Sequence, residues 1–510
     1  MADSAHKRLV KNTFALYIRM FIIMGVSIYT TRVVLNALGV SDYGIYNIVG
    51  GVVAFMTMIT GALTISVQRF LNYEIGKTEN GNVSGILSAA IIIHLILALI
   101  LFVGLETIGS FYFDTSINIP EDRFNAAKIV FQFSALASCI TLITSPFSAL
   151  IVAYERMDIF AGLSIVDALL KLGVVYILLA FDYDRLVAYG ALMLAEMVIY
   201  AFINIFIWRF KFSHVKFSLK FHKNLFFKIS SFASWSAFGQ VAWAFTLQGV
   251  NILLNIFFGS ILNAAYGVTS QVHNAVTKFV QSFQTAVNPQ LIKKYAQQDK
   301  DEVILLLLNG TKFSCYLLFL IAIPIFIEME NILGLWLKEV PEYTLIFCRL
   351  MLINIVLDTL SNLFATAAQA YGKIRNYQLI VSLVLIMNFP LSYLALSVFK
   401  IPYLTYVVYG FISICLLVTR IIIISGQIER RLFKPFINKV LIPVTLVLIP
   451  SFAISYLLYL LIDNMADVAQ LIVFVLISVI MISGVIFGLG LNSPERNRVI
   501  VFVKSKVSRK

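Results

Sequence analysis

The sequence predicts an all-α polytopic membrane protein of about 14 transmembrane helices, arranged as two six-helix lobes around a central cavity plus a C-terminal helix pair. Three observations carry this. The 510 residues are 60% hydrophobic and only 13% charged, with a mean hydropathy of +0.91. A soluble domain holds about a quarter charged residues, so this deficit excludes an ordinary globular core. The apolar runs continue for about 20 residues, the length of a spanning helix, where barrel strands alternate over about 10. Finally, Lys and Arg alternate between connections in the manner of a multi-spanning chain.

In chain order the apolar windows place spans near 13–38, 43–67, 85–108, 125–153, 158–181, 186–208, 229–258, 262–288, 303–328, 343–368, 378–398, 402–425, 440–462 and 468–491. An even number puts both termini on one side. The segment Met1–Asn12 is polar and basic and runs straight into a full-length span, without the short apolar stretch and small-residue site of a cleaved signal peptide. Twenty-seven of the 39 Lys and Arg fall in connections and tails on the N-terminal side, and only Arg123, Arg185, Lys338 and Lys400 fall opposite. Both termini are therefore expected in the cytoplasm, and the net charge of +13 is an orientation signal rather than a nucleic-acid footprint. Reporter fusions after Lys228 and Lys434 should accordingly read cytoplasmic, and fusions near Thr115 and Asn464 periplasmic. A periplasmic signal after Lys434 would break the fourteen-span count.

The connection Arg209–Lys228 interleaves Phe210, Phe212, Phe217, Phe221 and Phe226 with Lys and His. Two readings stand: a segment lying along an anionic leaflet, and a plain orientation signal joining two halves. Cys139, Cys315, Cys348 and Cys415 lie inside apolar runs without CxxC spacing or a neighbouring His, which supports neither a disulfide framework nor a zinc site.

Internal similarity organises the rest. Asp42-Tyr43-Gly44 opens the second span and Ala265-Tyr266-Gly267 the eighth, each followed by a span and a polar cytoplasmic stretch. Two parallel six-span halves facing a midplane cavity are one transporter arrangement. The expected domains are 1–223 as the first lobe with its linker, 224–438 as the second lobe, and 439–510 as the added pair with a basic tail.

The segment Leu38-Gly39 with Asp42-Tyr43-Gly44-Ile45-Tyr46, preceded by Thr31-Arg32-Val33-Val34-Leu35, resembles the start of the polysaccharide-exporter flippases. So do Tyr266-Gly267 with Gln271 and, further on, Asn288-Pro289-Gln290. These are proteins of the multidrug/oligosaccharidyl-lipid/polysaccharide exporter superfamily, in its Wzx-type, O-antigen flippase branch. The resemblance implies a bacterial cytoplasmic (inner) membrane location and a lipid-linked substrate, an undecaprenyl-pyrophosphate-linked glycan of a polysaccharide such as lipopolysaccharide. Its implied partners are that glycan, membrane lipids and polysaccharide assembly proteins, with no nucleic acid.

Ionisable groups inside spans are costly and usually face a bundle interior or an aqueous cavity. The basic ones are Arg19, Arg32, Lys128, Lys171, Lys278, Lys312, Arg349 and Arg420, against the acidic Glu106, Asp167, Glu196 and Asp358. This excess of positive charge suits an anionic cargo; a site for cationic drugs calls for the opposite sign. Arg32, Lys128 and Arg420 sit near span ends, where long stems reach the headgroups. Lys171 follows Asp167 by four residues on one helical face, as an ion pair or a coupling site.

Lys278 belongs to a polar row, Gly267, Gln271, Asn274, Lys278, Gln281, Thr285 and Asn288, whose steps of three or four put all seven on one helix face. Ser236, Gln240, Gln248, Asn251 and Asn255 form a second row, and Asn354, Asp358, Asn362 and Gln369 a third. Such amides glue helices together or line a hydrated passage; three rows in one lobe favour the passage. Sugar hydroxyls suit Gln271, Asn274, Gln281, Gln240 and Asn251, and pyrophosphate suits Lys278, Lys312, Arg349 and Arg19. His273 adjoins the first row, and His94 lies in another span; both suit packing better than ligation.

No Walker A sequence, GxxxxGK[ST], is present. Energy is therefore expected from an ion gradient, H+ or Na+, with Asp358, Glu196 and Asp167 as carriers, and no cofactor is expected. A multidrug antiporter of the same superfamily is the alternative. From another class, a polysaccharide polymerase or ligase would need acids, bases or clustered cations in a periplasmic loop, and the longest, near Gly109–Arg123, offers only Asp114, Glu121, Asp122 and Arg123.

Overall fold

A computed structural model describes residues 2–77, 82–115, 121–180, 184–218, 223–258, 260–337, 340–461, 468–497 and 500–501. The side chains of Arg32 and Asn255, and the tail from 502 onward, lie outside the described residues. Every regular element among the described residues is helical. Among the described residues, eleven helices are long and apolar enough to cross a membrane. Two further elements complete the expected fourteen. The first helix, α1 (Ala2–Gly76), is broken at Gly39, whose φ of 76° and ψ of 169° are non-helical, so it carries two spans. Only glycine takes that backbone without strain. The helix α7 (Ser260–Ala296) escapes a hydropathy criterion because one of its faces is polar.

The chain separates into two compact units: 1–241 with 292–298, and 242–291 with 299–510. The boundary at Val241 and Ala242 falls inside α6 (Lys223–Phe258), a continuous helix.

In the first unit α1 packs on α3 (Phe124–Ala153) and α4 (Met157–Leu179), and α3 also packs on α5 (Arg185–Lys211) and α2 (Val83–Thr115). Leu71, Leu87, Ala90, Leu150 and Ile229 are fully buried in one core cluster. Polar straps fix its ends. At one end, Arg123 donates to both oxygens of Asp42, with its Nε 2.8 Å from Asp42 Oδ1, and its Nη1 lies 2.9 Å from Asp184 Oδ2. Asp184 Oδ1 also accepts from the backbone N–H groups of Leu186 and Val187 and so caps α5. These bonds hold the Arg123 guanidinium above even its ordinary high pKa, Asp42 being the main cause. At the other end, Lys293 Nζ reaches the buried Glu155 at 2.7 Å. The Arg209–Lys228 connection is stapled to α2: Lys216 N donates to Ser84 Oγ and Ser218 N to Ser88 Oγ, while Phe212 and Val215 enter the core. Phe212 is thus a core residue; Phe210 and Phe217 are exposed, and Phe221 lies outside the described residues.

In the second unit α8 (Lys300–Ile327), α10 (Thr344–Tyr371) and α13 (Leu404–Ile428) form the interior, joined by α9 (Met329–Trp336) and by α11 (Ile374–Ile386) and α12 (Asn388–Phe399), two halves of one span. The last pair starts at α14 (Phe433–Phe436), passes through a π-helical turn Ile437–Leu441 and continues as α15 (Ile442–Leu461). It returns as α16 (Val468–Val485), which ends in a second π turn, Ile486–Gly490. Both helices of the pair pack on α8. Gly490 permits this approach, since a Cβ there would fall 2.8 Å from Val447 Cγ2 and 2.9 Å from Tyr316 Cζ. Tyr316 then donates to the Gly490 carbonyl at 2.9 Å.

Candidate functional site

Within the first unit, α1, α4 and α5 bring four of the intramembrane charges together. Asp167 and Lys171, one turn apart on α4, form an ion pair with Lys171 Nζ 2.9 and 2.8 Å from the two carboxylate oxygens. Facing them from α5 is Glu196, only 2% exposed, with Lys171 and Asp167 as its electrostatic neighbours. Neither Glu196 oxygen accepts a hydrogen bond from a donor among the described residues. Two neighbouring carboxylates repel when both are ionised and bond when they share one proton. Two carboxylates here stand against one lysine. Arg19 of α1 completes the cluster: its guanidinium lies 4.6 Å over the Phe160 ring, beside Asp167 and Tyr200, and its Nε has no partner among the described residues.

Within the second unit, α7 displays the polar row read from its periodicity. Gln271, Asn274, Lys278 and Gln281 are exposed, while Val276, Val280, Phe283 and Val287 on the opposite face are buried. Thr285 and Asn288 are half-buried; Thr285 bonds its own helix at Gln281 O, and Asn288 Oδ1 accepts from Thr366 at 3.1 Å. The middle of the row is thus exposed, and its end joins helices through Asn288. Lys278 has no ion-pair partner among the described residues. An exposed cation among amides can bind an anion with hydroxyl-bearing surroundings.

The remaining candidates are distributed elsewhere. Lys312 is 4% exposed and its Nζ lies 2.7 and 2.8 Å from the two oxygens of Glu495, so its charge is compensated within the protein. Arg349 is half-buried with its guanidinium 5.7 Å from the Phe326 ring centroid and Nε unpartnered among the described residues. Gln240 is half-buried in the first unit and Asn251 half-buried in the second. Asp358 is tied to α13, accepting from Tyr409 Oη and Ser413 Oγ at 2.8 Å each. Its row neighbour Asn354 donates to the Tyr406 carbonyl at 2.9 Å, so these two members of the third row join helices. Arg420, which the sequence places near a span end as a headgroup contact, donates to Ser361 Oγ at 2.7 Å.

Sequence reasoning missed three features. The Arg123 strap gives Asp42 of the Asp-Tyr-Gly motif a structural task; the motif was visible but its partner lies 81 residues away. The tyrosine and serine partners of Asp358 lie on α13, more than 50 residues on. The third is Glu495, the one acidic residue of an otherwise basic tail. A signal was present there: Asn492 and Glu495 exchange backbone bonds, Asn492 Oδ1 accepting from Glu495 N and Glu495 Oε2 from Asn492 N, both at 3.0 Å. That is the reciprocal pattern of a helix start.

Comparison with known proteins bears on the fold. The chain is similar in structure to an outward-facing multidrug resistance MATE family transporter of the MOP superfamily, with a TM-score of 0.72 at 13% identity over 82% of this chain and 96% of that one. It is similar to a MOP superfamily transporter from Pyrococcus furiosus described by a binding pocket of reversed polarity, with a TM-score of 0.70 at 12% identity and the same coverage. The fold is therefore that of the MATE transporters, a multi-pass helical membrane fold. In sequence the chain is 22% identical over 285 residues to the uncharacterized membrane protein EpsK of Bacillus subtilis. That match spans about half the length of the curated relative, 54% of each chain. No family model matches the sequence.

Proposed function

We propose that this protein is a flippase that moves an undecaprenyl-pyrophosphate-linked oligosaccharide from the cytoplasmic to the periplasmic leaflet by alternating access. The observation that carries the reading is Lys278, exposed and without an ion-pair partner among the described residues, in the middle of the amide face of α7. Pyrophosphate is drawn to the ammonium and sugar hydroxyls to Gln271, Asn274 and Gln281, while the polyprenyl tail stays in lipid. The Pyrococcus furiosus protein is described by a reversed pocket polarity that suggests a different function, so pocket polarity differs among proteins of this fold. An ion gradient, H+ or Na+, drives the cycle through Glu196 and Asp167. We place coupling there rather than on Asp358 because both Asp358 oxygens already accept hydrogen bonds from α13.

Deleting the protein is expected to abolish its surface polymer and leave the complete lipid-linked repeat unit on the cytoplasmic leaflet. The measurement is the accessibility of the lipid-linked glycan to a membrane-impermeant label, beside its chemical composition. A precursor that lacks one glycosidic linkage would instead indicate an enzyme. Unaltered surface glycan with raised sensitivity to cationic drugs would favour multidrug export, as in the multidrug resistance transporter of similar fold.

A further inference from the structure

A second site lies in the second unit, lined by residues that belong to neither the Lys278 face nor the Glu196 cluster. Where α8 begins, α13 ends and the C-terminal pair starts, the second unit contains a cleft of about 660 Å3, within the roughly 300–1,000 Å3 of small-molecule sites. One side is sewn shut by ion pairs: Lys300 Nζ to Glu429 Oε2 at 2.8 Å, and Arg430 to Asp301. Lys300 is also the reason the exposed Glu429 carboxyl sits below its ordinary pKa, so those charges are already answered.

Three cations lining the cleft are not. Arg431, Lys434 and Lys439 are exposed and have no ion-pair partner among the described residues, and only Glu302 opposes them. Beneath them the α8 wall is apolar, with Ile304, Leu305 and Leu308. Leu305 is left 44% exposed. The two wall residues Asn438 and Lys439 lie in the π turn, where Ile442 N bonds Ile437 O in place of the α-helical partner. Such turns are rare and concentrate at functional sites.

Cations above an apolar wall, at the ends of spanning helices, complement a ligand with a phosphate at one end and hydrocarbon at the other. A soluble phosphate would leave the leucines unused. The charge bias of the connections puts this end of the spans at the cytoplasmic leaflet, where anionic lipids attract basic residues and interhelical basic pockets hold their headgroups. We propose that this cleft binds an anionic phospholipid of the cytoplasmic leaflet, its phosphate on Arg431, Lys434 and Lys439 and an acyl chain along Ile304 and Leu305. The bound lipid fixes the start of the C-terminal pair against α8. This site is independent of the identity of the transported cargo.

The test is native mass spectrometry of the purified full chain offered equimolar phosphatidylglycerol and phosphatidylcholine. The wild type should retain phosphatidylglycerol preferentially. The triple variant Arg431→Gln, Lys434→Gln, Lys439→Gln should bind it about a hundredfold more weakly, at roughly fivefold per basic residue, with phosphatidylcholine retention unchanged. Should the triple variant lose its monodisperse profile, Arg431→Gln and Lys439→Gln alone carry the comparison at about fivefold each. Equal phosphatidylglycerol retention in wild type and folded variants would overturn the site. So would stronger retention of undecaprenyl pyrophosphate than of phosphatidylglycerol, lost in the same variants, because the cleft would then belong to the cargo path.

Discussion

Glu495→Gln is expected to destabilise the second unit by about 3 kcal/mol, and Lys312→Met by a comparable amount, while the double variant stays close to wild type. The Lys312 side chain is 5% exposed and the Glu495 side chain 13%. Removing one partner strands the other charge in a place that water barely reaches, which typically costs 3–5 kcal/mol; removing both replaces two desolvated ions with neutral groups, which is often neutral. Gln at 495 keeps an oxygen for the Asn492 N–H, so the helix start survives and the effect isolates the charge. The measurement is a double-mutant cycle on unfolding in mixed micelles, where a coupling energy above about 2 kcal/mol is expected for contacting charges. Additive losses, with a coupling below roughly 0.5 kcal/mol, would show instead a solvated pair of the kind found on surfaces.

Why Lys312 was legible as important but not as paired follows from the kind of information a sequence holds. Periodicity assigns a residue to a helix face, and the α7 row came out where its steps of three and four put it, with Gln271, Asn274, Lys278 and Gln281 exposed. The fourteen spans were legible for the same reason, including α7, whose polar face defeats a plain hydropathy criterion. Partners are another matter. Glu495 stands 183 positions from Lys312, and Tyr409 and Ser413 stand 51 and 55 from Asp358; nothing local encodes which helix packs beside which. Asp167 and Lys171 could be paired because their four-residue spacing is itself the contact. The addition of Glu196 from α5 needed the structure.

Lys278→Ala is expected to reduce flipping between about tenfold and a hundredfold, the range set by losing a charged hydrogen bond of about 1.5–3 kcal/mol. Lys278→Arg should keep most of the activity, since the positive charge remains and a guanidinium binds phosphate well. The informative variant is Lys278→Gln. If the residue attracts pyrophosphate, Gln fails nearly as badly as Ala, because an amide cannot supply the monopole. If it served as interhelical glue, Gln would be close to normal, since membrane interhelical hydrogen bonds are worth only about 0.6 kcal/mol on average. Its exposure and the absence of an ion-pair partner among the described residues favour the first order, Arg above Gln and Ala together. Reconstituted vesicles carrying a labelled lipid-linked glycan give the rate, and protein abundance measured beside it separates transport defects from misfolding. Full flipping by a normally abundant Lys278→Gln protein would remove Lys278 from the pyrophosphate role. The question would then pass to Arg349 and Arg19, whose Nε atoms remain unpartnered among the described residues, but not to Lys312, whose charge Glu495 already answers.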